Sequence, residues 1–164
     1  MPAKSTSVTP LTADYNAVSR KPAIRATEDR TKNSALSISP RTEDHAALRR
    51  MLDELAWEVS AAANCHEAIE RLRRQHVSVV LCDSVLEDGT WKDILNHISR
   101  AADPPLLIVT SRLADEYLWA EVLNLGGYDV LAKPFNQREV SHVLTTASLC
   151  QVYAAPHGRS AGAD

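Results

Sequence analysis

The run "VVLCDSVLEDG" (79–89) sets Val79, Val80, Leu81 and Cys82, all apolar, directly before Asp83. A carboxylate closing a run that favours burial has three readings. It caps a loop, binds a metal, or accepts a phosphoryl group. Two more apolar runs end on groups that bear on the choice. "LLIVT" (106–110) ends at Thr110 and is followed by Ser111, while "YDVLA" (128–132) leads into Lys133, Pro134 and Phe135. A phosphorylated aspartate needs a hydrogen-bond donor, which Thr110 or Ser111 can supply. It also needs a cation, which Lys133 supplies as a point charge. Pro134 suits a tight turn after the lysine, with a cis bond as one option.

These residues meet only if their strands lie side by side. "ALSIS" (35–39) reads as a first strand, and Thr42 as the cap of a helix with Leu48, Met51, Leu52 and Leu55 at helical spacing. Glu43 and Asp44 fall in its first turn, where acids suit the helix dipole. "WEVSAA" (57–62) is a second strand and "CHEAIERLRRQH" (65–76) a second helix. "VSVVLC" (77–82) and "LLIVT" are continuously apolar, the mark of strands covered on both faces. A third helix is expected over 90–101 and a fourth over 113–125, closed by Gly126 and Gly127. A last helix opens at Asn136, with Glu139 at capping-box spacing.

Five strands alternating with five helices predict an α/β fold. Its parallel sheet is doubly wound, with helices on both faces. Sites in such sheets gather beyond the carboxyl ends of the strands. Asp83, Thr110 and Lys133 all stand there, as do Ser39 and Pro40 after the first strand.

Composition narrows the function classes. The chain has 164 residues and a net charge of -3, so it carries no electrostatic footprint of a nucleic-acid binder. No apolar run reaches membrane-spanning length. Cys65, Cys82 and Cys150 are irregularly spaced and form no CxxC pair, and the six histidines show no zinc spacing. A reducing cytoplasm is the expected setting. Residues 1–34 and 154–164 lack any period and are expected to be disordered tails around a domain at 35–153.

With Asp83, Thr110 and "KPF" (133–135) in this order, and "LGGYDVLAKPF" (125–135) leading into the lysine, the domain resembles the receiver domain of bacterial two-component response regulators. The resemblance implies a flavodoxin-like five-stranded sheet, with Asp83 as phosphoacceptor, Thr110 as switch hydroxyl and Lys133 as phosphate contact. It also implies a histidine kinase or phosphotransfer protein as partner, Mg2+ as cofactor, and a signalling rather than enzymatic role. The surface of helix 4, strand 5 and helix 5, with Leu118, Trp119, Leu123 and Val130, is implied as an output or homodimer face.

The chain departs from the family in three places. The acidic pair expected after the first strand falls on Ser39 and Pro40. With Glu43 and Asp44 read as first-turn helix acids, Asp83 is the only carboxylate of the crevice, and its Mg2+ site is expected to be weakened. The loop "SVLEDG" (84–89) lacks the family's proline and is shorter by two residues, though it keeps Asp88 and Gly89. The aromatic switch position, three before the lysine, is Val130.

Two functional readings follow. One is a stand-alone, atypical response regulator phosphorylated on Asp83. The other is a degenerate receiver that serves as a phosphorylation-independent interaction or dimerisation module. A flavin-binding reading would need a phosphate cradle after the first strand, and "SPRTED" (39–44) is not one. In the fourth helix, Leu118, Val122 and Leu125 form a stripe read as buried, beside a second stripe of Trp119 and Leu123. Cys82 reads as core.

Overall fold

The computed structural model describes residues 33–154, so the expected tails lie almost wholly outside the described residues. Five parallel strands form one sheet: β1 (Ser34–Ile38), β2 (Glu58–Ala62), β3 (Val79–Asp83), β6 (Leu106–Ser111) and β7 (Asp129–Ala132). Their order is β2-β1-β3-β6-β7, the doubly wound arrangement expected. Helices α1 (Thr42–Asp53), α2 (Cys65–Arg74), α3 (Trp91–Ile98), α4 (Glu116–Leu125) and α5 (Gln137–Ala154) form the crossovers and the closing element.

The two faces of the sheet separate residues by parity, as strand geometry requires. Leu36, Ile38, Val80, Cys82, Leu107 and Val109 pack with α2, α3 and α4 residues such as Ala68, Ile94 and Val122. Ala35, Val79, Leu81, Ile108 and Leu131 pack with Leu48 and Leu52 of α1 and with Val140, Val143 and Leu144 of α5. Burial on both faces is why β3 and β6 read as unbroken apolar runs.

Local chemistry sets several ends. Asn64 caps α2 by accepting from the Glu67 amide, and Thr90 with Asp93 forms a capping box on α3. The α4 helix starts three residues later than expected, because the Asp115 carboxylate accepts from the Leu118 amide and caps it there. It closes on Gly126, whose φ of 102° is left-handed and strained for any residue with a Cβ. Thr42 is not the cap of α1. It is already the first helical residue, Arg41 holds the cap position, and no side chain bonds the helix end from there.

Two short strands went unpredicted. β4 (Val85–Leu86) and β5 (Gly89–Thr90) pair antiparallel within the loop after Asp83. Two residues per strand are too few to show a period. The Asp88 carboxylate at the tip of this hairpin accepts from the Cys65 amide at 2.8 Å and the His66 amide at 2.9 Å. Those two backbone bonds hold Asp88 below its ordinary carboxylate value. Asp88→Ala is therefore expected to destabilise the fold by about 1 kcal/mol, the cost of losing a helix N-terminal acceptor. A group with a lowered native value stabilises above its unfolded value and loses that contribution as pH falls through the native one. Urea titrations should show the deficit at pH 7 and its narrowing towards pH 3. An equal deficit at both pH values would remove the helix-end explanation.

The closing helix is fastened near both ends. Gln137 Nε2 donates to the Met51 carbonyl at 3.3 Å, and Gln151 Nε2 donates to the Ser78 carbonyl at 2.5 Å.

Candidate functional site

β3 and β6 pair in register with Asp83 opposite Thr110. Thr110 is 2% exposed, and its hydroxyl donates to Asp83 Oδ1 at 2.6 Å. β6 also pairs with β7, and the Lys133 amide donates to the Ser111 carbonyl, which carries the ladder one residue past β7. The Lys133-Pro134 bond beyond it is cis. Lys133 reaches back over the strand ends, with Nζ 2.5 Å from Asp83 Oδ1. The carboxylate, hydroxyl and ammonium expected at three strand ends thus converge. Ser111 does not reach Asp83. Its hydroxyl accepts from the Ser84 hydroxyl and the Leu113 amide.

Asp83 is not the only carboxylate of the crevice, as the sequence reading had it. Asp44 Oδ2 accepts from Lys133 Nζ at 2.6 Å, so one ammonium lies between two carboxylates. The side chain of Lys133 is 5% exposed, and those of Asp44 and Asp83 are 13% each. Asp44 does lie in the first turn of α1, but it faces inward while Glu43 is exposed. The reason is helical phase. Asp44 stands four residues before Leu48 and eight before Leu52, the two buried residues of α1. An acid in line with a buried stripe was the available signal.

Burial alone would raise the Asp44 carboxyl. The hydrogen bond and charge of Lys133, the Ser39 hydroxyl and the more distant Arg112 outweigh it and hold Asp44 below its ordinary value. Breaking this arrangement would leave charge uncompensated in a poorly hydrated crevice.

Ser39 and Pro40 follow β1 as expected, and the structure gives Ser39 a direct part. Its hydroxyl is 2.9 Å from Asp83 Oδ2 and 3.1 Å from Asp44 Oδ2, and its single proton serves one of them at a time. His45 secures this loop, with Nε2 2.9 Å from the Ser39 carbonyl and Nδ1 2.8 Å from the Ser37 hydroxyl. Ser39 is 2% exposed and belongs to the packed interior, whereas Pro40 and Arg41 after it are exposed.

The donor set is compatible with Mg2+. That ion is commonly held by one or two carboxylates together with phosphate oxygens and water. Asp83 and Asp44 provide two. Among the described residues, no group of three or more His, Cys, Asp or Glu side chains is placed to hold a metal.

The nearby cysteines are core residues. Burial pushes the Cys82 thiol well above its ordinary value. At Cys65, burial followed by the Asp88 charge pushes it up to about 11. Both are protonated at neutral pH and poor nucleophiles.

The residues assigned to the output face divide. Trp119 is 50% exposed and Leu123 36%, whereas Leu118 is partly buried against the core. Val130, at 8%, is mostly a core residue. It floors a cavity of about 250 Å³ bounded by Trp119, Ala132, Asp115 and Glu139. Trp119 is oriented there by its indole N–H, which donates to Asp129 Oδ1. Leu125, read as buried, is 53% exposed because α4 stops immediately after it, one turn beyond the contact made by Val122.

Comparison with known proteins points one way. The sequence model described as "Response regulator receiver domain" matches residues 42–145. The probable transcriptional regulatory protein TcrX of Mycobacterium tuberculosis is 37% identical over 86 residues, covering 51% of this chain and 36% of TcrX. The chain spans less than half the length of the curated relatives it matches. Among solved structures, the signal receiver domain of an HD domain-containing protein from Pseudomonas fluorescens Pf-5 superposes with a TM-score of 0.68. That pair is 21% identical over 74% of this chain and 98% of the other. The beryllofluoride-activated NtrC4 receiver domain dimer gives a TM-score of 0.67 at 18% identity, over 72% of this chain and 98% of the other. At these identities the structures speak for the fold alone.

Proposed function

The chain belongs to the response regulator receiver domain family, and from that membership we propose that it accepts a phosphoryl group on Asp83 within a phosphorelay. The observation that carries the reading is the convergence of Thr110 and Lys133 on one oxygen of Asp83. A carboxylate oxygen attacks the phosphorus of a phosphohistidine on a kinase or phosphotransfer partner. The new P–O bond forms as the P–N bond breaks, and the imidazole leaves with the bonding pair. Mg2+, when bound, draws charge from the phosphoryl oxygens. Lys133 balances the added negative charge, and Thr110 rotates its proton from the carboxylate towards a phosphoryl oxygen. Lys133 then divides its charge between Asp44 and the phosphoryl group, which couples the event to the first turn of α1.

The test is the intact mass of the full chain after incubation with Mg2+ and a small-molecule phosphodonor, beside Asp83→Ala. A phosphoryl-sized gain in the parent chain and none in the variant is expected. No gain with the small-molecule donor or with phosphorylated histidine kinases would overturn the reading.

A second reading is favoured by Ser39 and Pro40 at the acidic-pair positions and by the exposed apolar residues Tyr117, Trp119, Leu123 and Leu125 on α4. In it the domain binds a partner, or a second copy of itself, without phosphorylation. Partner binding would then survive Asp83→Ala unchanged.

A further inference from the structure

We infer that Asp44 serves as the second carboxylate of a Mg2+ site with Asp83, taking over from α1 a role that Ser39 and Pro40 cannot fill from the end of β1. The inference rests on the reading of Asp83 as phosphoacceptor and assigns the metal ligand that this reading leaves open. Asp44 and Asp83 share two partners. Lys133 Nζ touches both, at 2.6 and 2.5 Å, and the Ser39 hydroxyl touches both, at 3.1 and 2.9 Å. The two carboxylates therefore address one small volume from different elements. In Asp44 a single oxygen, Oδ2, makes both of these bonds, and Oδ1 takes part in neither.

Charge points the same way. Asp44, Asp83 and Lys133 together carry one net negative charge, which favours a dication and which Arg112, acting on Asp44 from farther off, offsets in part. Removing the Asp44 charge leaves a neutral Asp83–Lys133 pair with little attraction for one. Glu43, its neighbour in sequence, is exposed and has no part in the site. The ammonium already between the carboxylates has to share them with the incoming ion, so the site is a weak one.

The test uses the full-length chain and Mg2+ alone. Mg2+ is titrated into 15N-labelled protein, and the amide shifts of the loops after β1 and β3 report binding without any phosphodonor. The parent chain should saturate, Asp44→Asn should bind at least about tenfold more weakly, and Glu43→Gln should match the parent. Adding Pro40→Asp to Asp44→Asn should recover part of the loss, since it returns a carboxylate to the loop. Equal affinity in Asp44→Asn and parent, or no saturable shift in the parent, overturns the inference. The phosphoacceptor reading is scored separately by intact mass. Mg2+ binding lost in Asp44→Asn with no phosphoryl gain sinks that reading alone. A Mg2+-dependent gain unaffected by Asp44→Asn sinks the metal assignment alone.

Discussion

Replacing Lys133 by methionine is expected to cost the domain about 3 kcal/mol at pH 7, the lower end of what stranding a buried charge costs. Lys133 is 5% exposed and is the cation between Asp44 and Asp83. Methionine keeps most of the volume and removes the charge, leaving two carboxylates face to face. The value lies at the lower end because each carboxylate keeps 13% of its side-chain surface and Asp44 can take up a proton.

The pH dependence follows in sign. In the parent, Asp44 lies below its ordinary value, so its stabilisation is present above the unfolded value and fades as pH falls through the native one. In the variant the lysine that lowers Asp44 is gone, and burial beside a second carboxylate raises Asp44 above its unfolded value. The penalty is then full at neutral pH and shrinks as acidification protonates Asp44. Urea midpoints at pH 7 and pH 5 check this. Equal midpoints at pH 7, or a gap that widens at pH 5, would mean that Lys133 does not compensate these acids.

The second large effect belongs to the core. Ile108→Ala should destabilise the fold by about 3–4 kcal/mol, through lost transfer energy and the cavity left behind. Ile108 is 0% exposed and sits opposite Leu81 on β6, in the cluster with Leu131, Val143 and Leu144. Domains of ordinary stability hold about 5–15 kcal/mol, so a large part of the total is at stake. Leu125→Ala, at a position 53% exposed, should stay within about 0.5 kcal/mol. Denaturant titration of the pair separates apolar residues that hold the fold from those that only look as though they should. A Leu125 loss matching that of Ile108 would contradict the exposure of Leu125.

Much of this architecture is legible in the chain. Apolar runs at 79–82 and 106–110 mark central strands, and their ends mark where Asp83 and Thr110 must stand. The register that puts those two opposite each other follows from parallel pairing. Asp44 was hidden by a competing explanation. An acid in the first turn of a helix already has a reason to be there, and only its phase against Leu48 and Leu52 shows that it points inward. Leu125 was misread for a related cause. A stripe drawn by period assumes a partner along the whole helix, and Gly126 ends α4 too soon. The hairpin of β4 and β5 is held through Asp88 by the Cys65 and His66 amides, outside its own segment, so no local pattern announces it.

The two glutamine bonds of α5 have a mechanical meaning. A helix secured near one end only can fray or tilt and dissipate a displacement applied to its other end. With Gln137 tied to α1 and Gln151 tied beneath β3, α5 behaves as a strut. Its 18 residues span roughly 27 Å. Lys133 lies four residues before its first turn, so any movement that the lysine makes between Asp44 and Asp83 enters the strut at its root. Between its two bonds the helix resists such a displacement along its whole length rather than losing it to local unwinding.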